Sequence, residues 1–442
     1  MRQTTLALAA LAFALGPALG AADAPQQQAD APSQLDLREA IRYALDHNYA
    51  ILQAREAIRL QEGVIVQVRS QEIPNVGAQS QWQRNATSIS QIYPATTSFW
   101  DVELKATQTL FAGGGVVSSI KSAKLTRDAA AFDLQTAIDT ALLDVRTKFY
   151  NVILAKERIR VEEENVQLYE HQLTDTKNQF QSGTVSNFEV LRAKVFLANA
   201  QPSLITARNN YRIAIEQLRQ SLGVPGASTL PEVVGDLSST PESFDTEAAV
   251  ASAHEHRPEL VRLEKLQQAA AESVTTAKSG FYPNLQAFGA YEWDGYGFSN
   301  PEYGSPTVNG WLFGLQSTWA IFDGRATDGK VRQAKSQLEQ ARLSRASEEL
   351  EVDVEVRQAM SSLQEARELV MASKQTVEQA AEALRLANER FHVGSATQLD
   401  VLTSQVPLTQ ARTDQLTANY NYIVALANLR KAIGLSDALV VP

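Results

Sequence analysis

The chain has 442 residues, with 40 Lys and Arg against 50 Asp and Glu, a formal net charge of −10. That balance argues against nucleic acid as a partner, because phosphate backbones are held by basic faces. With no cysteine there is no disulfide, thiolate metal site or cysteine nucleophile, and any membrane anchorage is expected to be built from protein rather than from a lipidated cysteine.

In chain order, the first feature reads as an export address. Arg2 supplies a positive start, Leu6 to Leu15 an apolar stretch, and Ala18-Leu19-Gly20 or Gly20-Ala21-Ala22 a cleavage site. Residues 1–22 are therefore expected to be a removed signal peptide. No later apolar run approaches the roughly 18 residues of a membrane helix, which argues against a helical inner-membrane protein. A first repeat over 23–222 then holds a helix at 37–72, a β-hairpin at 75–111, a long helix at 115–182 and a returning helix at 186–222. A linker rich in Pro, Gly and Ser fills 223–244. The series returns over 245–434 as helix 245–282, hairpin 284–322, long helix 324–392 and returning helix 397–434, with a tail at 435–442. Pro202 and Pro407 fall inside the returning helices, where kinks are expected.

The two halves are copies of one unit. Phe180-Gln181-Ser182-Gly183-Thr184 recurs as Phe391-His392-Val393-Gly394-Ser395, Leu218 to Gly223 as Leu429 to Gly434, and Trp100 as Trp311, all 211 positions apart. Upstream, Pro74-Asn75 matches Pro283-Asn284 and His47 matches His256 at 209. Two extra residues therefore lie in the second hairpin, where exposed loop tips accept insertions. The long helices carry a seven-residue seam: Val145, Val152, Ile159, Val166, Leu173 and Phe180 in one, and Val356, Leu363, Val370, Val377, Leu384 and Phe391 in the other. Small residues such as Ala359, Ala366 and Ala387 alternate with them, as closely paired coiled-coil helices require. A helix of about 68 residues is about 100 Å long, so each full-length helix needs two half-length neighbours placed end to end.

Alternate residues of the strands separate by polarity. Trp100, Val102 and Leu104, with Trp311, Phe313, Leu315 and Trp319, share one face, while Asp101, Glu103, Lys105, Gly314, Gln316 and Thr318 take the other. A membrane barrel shows this pattern, apolar toward lipid and polar toward a wet lumen. A half-buried soluble sheet gives the same alternation. The export signal and the helix length favour the barrel, and four strands cannot close alone. Sharing among two, three or four chains is compatible with the count.

In duplicated order these features resemble the TolC-like outer-membrane efflux and secretion channels. The resemblance covers essentially the whole mature chain. It rests on the Phe-x-x-Gly turns ending in Val190-Leu191 and Val401-Leu402, the strand exits Leu110 to Gly113 and Ile321 to Gly324, and the helix ends at Gly223 and Gly434. It implies a mixed fold: four strands per chain in a shared, trimeric, 12-stranded transmembrane β-barrel, standing on a long α-helical coiled-coil periplasmic tunnel. It implies a homotrimer in outer-membrane lipid, docked to a periplasmic adaptor (membrane fusion protein) and an inner-membrane pump of RND or ABC type, in an efflux or type I secretion system. The tunnel tip and adaptor contact would be Gly183, Thr184, Val185 and Ser186 with Gly394, Ser395, Ala396 and Thr397. The pore constriction would involve Glu189, Asp400 and Thr403. Phe391, Ala396 and Thr403 stand where some members carry a tyrosine, an arginine and an aspartate, so a salt-bridged latch is not expected at the second turn.

No catalytic constellation accompanies these features, and no cofactor is expected. His254 and His256 lie at i and i+2, pointing to different sides of a helix. Gly113-Gly114-Gly115 lacks the Gly-Lys-[Ser/Thr] of a phosphate loop. A periplasmic coiled-coil adaptor or structural protein is the rival reading, but it would not need lipid-patterned strands at the same place in both repeats.

Overall fold

The computed structural model describes residues 34–86, 88, 96–226, 231–238 and 242–435. The expected signal peptide and nearly all of the tail fall outside these residues. Each repeat opens on an aspartate-capped helix. Asp36, after the short strand β1 (Gln34–Leu35), accepts from the Glu39 amide at 2.7 Å and starts α1 (Leu37–His47). Asp245 accepts from the Ala248 amide at 2.9 Å and starts α5 (Thr246–His256).

The single helices expected over 37–72 and 245–282 are each broken once. Asn48 leaves the helical backbone at ψ 124°, and its side-chain oxygen accepts from the Ala50 and Ile51 amides, which starts α2 (Tyr49–Arg69). Arg257 is extended ahead of Pro258, whose ring disfavours helical backbone on the residue before it, and α6 runs Pro258–Lys278. A one-residue break leaves no gap in the apolar periodicity, so the pattern alone did not reveal it.

The long helices α3 (Gly115–Gln181) and α7 (Ala326–His392) each hold 67 residues, about 100 Å at 1.5 Å per residue. From their far ends return α4 (Asn187–Leu222) and α8 (Gln398–Ala432), which continue through Pro202 and Pro407. Helices α2 and α6 pack against α3, and α6 also against α7, supplying the second half-length neighbours. The heptad line is the buried one: Val145, Val152 and Val356 are fully covered, and Val166, Leu173, Leu363, Ala366 and Ala387 nearly so. Phe180, at the tip end of its line, is exposed. The first repeat's main core sits midway, where Phe149 and Val152 meet Leu218, Leu222, Leu35 and Val233 of β4 (Glu232–Val233).

Opposite the tip lies one antiparallel sheet in the order β2 (Asn75–Arg84), β3 (Thr96–Ala112), β5 (Asn284–Phe298), β6 (Thr307–Thr318). The hairpins share one register: Asn75 opposes Thr107 and Asn284 opposes Thr318, while Arg84 opposes Ser98 and Trp293 opposes Asn309. The two extra residues of the second copy therefore lie beyond Trp293 and before Asn309. Strand β6 stops at Thr318, short of the expected 322. The reason is local: β5 begins at Asn284, so residues past Thr318 have no neighbour to pair with. In β3 the corresponding residues, to Ala112, are held by β5.

Candidate functional site: the sheet faces and the helical tip

Residues directly opposite one another in a sheet share a face, so the register sorts the side chains. On one face lie Trp82 and Trp100, then Val102 with Trp293, Leu104 with Tyr291 and Trp311, and Phe313 opposite Gly289. Among the described residues this face is left open at β6: Trp311 and Phe313 are 71% and 75% exposed, and Leu315 is 68% exposed. Trp319 lies just past β6, its indole Nε1 donating to the Phe281 carbonyl at 3.1 Å. That places an amphipathic ring where the sheet meets the helices, as rings do at a membrane interface.

The other face carries Gln81, Asp101 and Asp294 in one row and Gln79, Glu103 and Glu292 in the next. Glu103 is nearly buried in its row; the Gln79 amide donates to it, and Lys105 Nζ approaches it at 3.2 Å. Asp101, Glu103, Glu292 and Asp294 outweigh Lys105, so the polar side of the sheet is acidic as well as wettable. Among the described residues no helix is long and apolar enough to cross a membrane. The apolar sheet face is the surface suited to lipid.

At the far end, both reversals use the same backbone device. Gly183 and Gly394 sit at φ +77° and +75°, and the amides of Thr184 and Ser395 donate back to the Gln179 and Arg390 carbonyls at 2.9 and 2.8 Å. This left-handed closure satisfies carbonyls that a helix end otherwise leaves open. Val185 and Ser186 complete the first turn, Ala396 and Thr397 the second.

The turns differ in how the next helix starts. Ser186 makes no side-chain cap. Thr397 and Asp400 form a capping box: the Asp400 carboxylate accepts from the Thr397 amide at 2.7 Å and hydroxyl at 2.8 Å, and the Thr397 hydroxyl accepts from the Asp400 amide at 3.3 Å. The backbone and then the side-chain bond from Thr397 hold the Asp400 carboxyl below its usual range. Stabilisation from a carboxyl with a lowered folded pKa is present above its unfolded value, about 3.9, and is lost as pH falls through the folded value. The protection factors of the amides at 397–400 should therefore fall once pH drops below about 4, while those at 186–189 show no matching step. Equal steps at both turns would contradict the assignment.

Glu189 is ion-paired with Arg192, whose guanidinium lies 5.8 Å from the Phe188 ring centre. Thr403 donates to the Leu399 carbonyl at 2.8 Å. Within one chain each of the three constriction candidates thus has a local partner.

Sequence reading missed a polar seam between the repeats, along α3 and α8. Arg158 donates to Thr417 at 2.8 Å, Arg412 meets Glu164 at 3.1 Å, Thr409 bonds Asn165 at 3.2 Å, and Gln398 donates to Thr176, which is fully buried. The available signal was the spacing of Thr409, Thr413 and Thr417 by four, a polar stripe on one helix face. The histidines serve helix contacts: His254 Nε2 lies 2.7 Å from Asp353, and His256 Nδ1 lies 3.0 Å from the Ser252 carbonyl.

Comparison with known proteins agrees with this geometry. Nodulation protein T of Rhizobium leguminosarum bv. trifolii is 23% identical over 400 residues, covering 89% of this chain and 84% of that protein. Outer membrane protein TolC of Escherichia coli (strain K12) is 26% identical over 397 residues, covering 84% and 76%. The solved CmeC outer membrane channel of Campylobacter jejuni superimposes with a TM-score of 0.79 at 15% identity, covering 91% of this chain and 87% of that one. The model of the outer membrane efflux protein family matches twice, at residues 40–224 and 249–435. With both halves matched and a fold shared with solved outer-membrane channels, the chain belongs to the outer membrane efflux protein family and is an outer-membrane channel subunit with a long periplasmic extension.

Proposed function

We propose that three copies of this chain form a passive conduit, closing one 12-stranded barrel above a tunnel of helices, and that the tip receives a periplasmic adaptor and an inner-membrane pump. The observation that carries this reading is the pair of open edges, β2 and β6. In hydrocarbon every unpaired backbone amide or carbonyl costs several kcal/mol, roughly, so these edges must meet. The chain supplies its own template. Inside one copy, β3 of the first repeat pairs with β5 of the second; between copies, β6 pairs with the next β2 in the same way. Residues Trp319 to Asp323, counterparts of Gln108 to Ala112, then gain the neighbour that β5 provides in the first repeat.

The same template sets the register between copies. Lys105 opposes Ala290, and their counterparts are Gln316 and Gln81 of the partner subunit. Since the chain lacks cysteine, oxidation of a Q81C/Q316C double variant in outer membranes is expected to give a covalent ring of three chains. Rings of two or four would overturn the trimer, and unlinked monomers would overturn the closure. In this assembly Trp100, Val102, Leu104, Trp311, Phe313, Leu315 and Trp319 face lipid. Gly183 to Ser186 and Gly394 to Thr397 ring the tip. Glu189, Asp400 and Thr403 lie near the constriction, where the capping box makes the second turn the stiffer of the two. The pump, of RND or ABC type, selects the cargo for efflux or type I secretion.

A further inference from the structure

Below the sheet the charge balance of the chain reverses. Acidic residues outnumber basic ones 50 to 40 overall. Yet residues 115–127 of α3 hold Lys121, Lys124 and Arg127 with no acidic residue, and 324–335 hold Arg325, Lys330, Arg332 and Lys335 against Asp328 alone. Asp328 is shared, 3.0 Å from Arg325 and 3.1 Å from Arg332. Arg127 is drawn sideways to Glu62 of α2 at 3.5 Å and to Asp128 at 3.3 Å. Lys121, Lys124 and Lys335 are exposed and hold no ion pair among the described residues.

The two repeats place the same basic pair at the same depth. Lys121 and Lys124 recur as Arg332 and Lys335, 211 positions on. At i and i+3 the members of each pair are neighbours on one face of their helix. Lys121 and Arg332 each lie six residues past the first residue of that helix, Gly115 or Ala326, about 9 Å along its axis.

That face is the outer one. At mid-length β4 and α1 pack on α3 around Phe149, and α5 packs on α7, where Glu247 meets Arg357 at 3.2 Å and His254 meets Asp353 at 2.7 Å. Elements seated inside would block a tunnel, so they mark its exterior. Lys124 precedes Phe149, and Arg332 precedes Arg357, by 25 positions, close to seven full turns. Lys335 precedes Asp353 by 18, which is five full turns. The basic pairs therefore point away from the lumen, beneath the apolar face of the sheet.

We propose that Lys121, Lys124, Arg332 and Lys335 bind the phosphates of anionic phospholipid headgroups in the periplasmic leaflet, as a basic girdle under the barrel wall. The inference rests on the barrel reading given above. Trp319, at the foot of the sheet, marks where the headgroup layer begins. That layer is about 5–8 Å thick, so Lys121 and Arg332 stand at its lower edge, and long basic side chains extend up to it. Lys124 and Lys335, one turn further down, remain within one Debye length, about 8 Å. Bases this close to an anionic surface are attracted to it, and the girdle holds the barrel at a fixed depth.

The test is native mass spectrometry of the detergent-purified oligomer, offered equal amounts of phosphatidylglycerol and phosphatidylcholine with the same acyl chains. The parent is expected to retain phosphatidylglycerol at least about fivefold over phosphatidylcholine, the preference that one base near an anionic surface gives. K121Q/K124Q/R332Q/K335Q should retain the two within about twofold. K177Q/K194Q, which removes exposed lysines near the tip, should keep the parent's preference. In the parent, raising ammonium acetate from about 50 to 500 mM should weaken the preference at least about threefold, because the screening length shortens with salt. A preference that is absent in the parent, unchanged in the fourfold variant, lost in K177Q/K194Q or indifferent to salt would overturn the proposal. Displacement of the lipid by glycerol 3-phosphate would overturn it too, by showing a site for soluble anions. If the barrel reading itself fails, the oligomer retains neither lipid.

Discussion

Replacing Phe313 by arginine is expected to remove most of the protein from the outer membrane as a heat-modifiable oligomer. Phe313 stands in the middle of β6, 75% exposed, on the face shared by Trp311 and Leu315. If that face meets acyl chains, an arginine near the bilayer midplane costs about 2–4 kcal/mol per copy, and closing a ring multiplies the penalty by the number of subunits. A Q316R variant places the same charge on the opposite, polar face and should assemble normally. Phe313→Leu keeps the apolar surface and should also assemble. The readout is the amount of unboiled oligomer in membrane fractions. Oligomer from F313R matching that of the parent would mean the face meets water, and the sheet would not be a membrane wall.

The second large effect is expected at the middle of the helices. Gly223 sits at φ +75°, where a side chain would run into the His47 carbonyl. A non-glycine residue in the left-handed region costs about 1–3 kcal/mol before any clash, and the clash is with backbone that cannot rotate away. Moving His47 would also disturb Asn48, whose side-chain amide donates to the Ser221 carbonyl at 2.7 Å. Gly223→Val should therefore lower the Tm of the assembled protein markedly and expose the core around Leu218 and Leu222. Gly63→Ala is the contrasting case: that glycine lies inside α2 with nothing within 4 Å, and alanine should stabilise the helix by about 0.5–1 kcal/mol. Equal unfolding temperatures for the two variants would show that the contact at His47 yields freely.

Much of this architecture was legible in the residues. Period-seven lines such as Val356 to Phe391, and period-two faces such as Trp311 to Leu315, depend on how side chains project from a single helix or strand. The offsets of 211 and 209 placed the insertion in a hairpin, and the common register of the two hairpins narrows it to the residues between Trp293 and Asn309. Glycines at the tip were readable because left-handed backbone strongly favours that residue.

Other features depend on chain segments far apart in sequence. The breaks at Asn48 and Arg257 cost the apolar pattern nothing, yet they bring His47 and His256 against Gly223 and Gly434. The end of β6 at Thr318 reflects where β5 begins, a property of the pair and not of either strand. The seam from Arg158 to Thr176 pairs residues more than 200 positions apart, and a polar side chain does not announce which distant partner will satisfy it. Asp400 was readable as a carboxylate near a turn, but its capping of Thr397 required the turn's own geometry. Local periodicity thus set the elements and their lengths, while long-range packing settled where they break, where they stop and which polar groups meet.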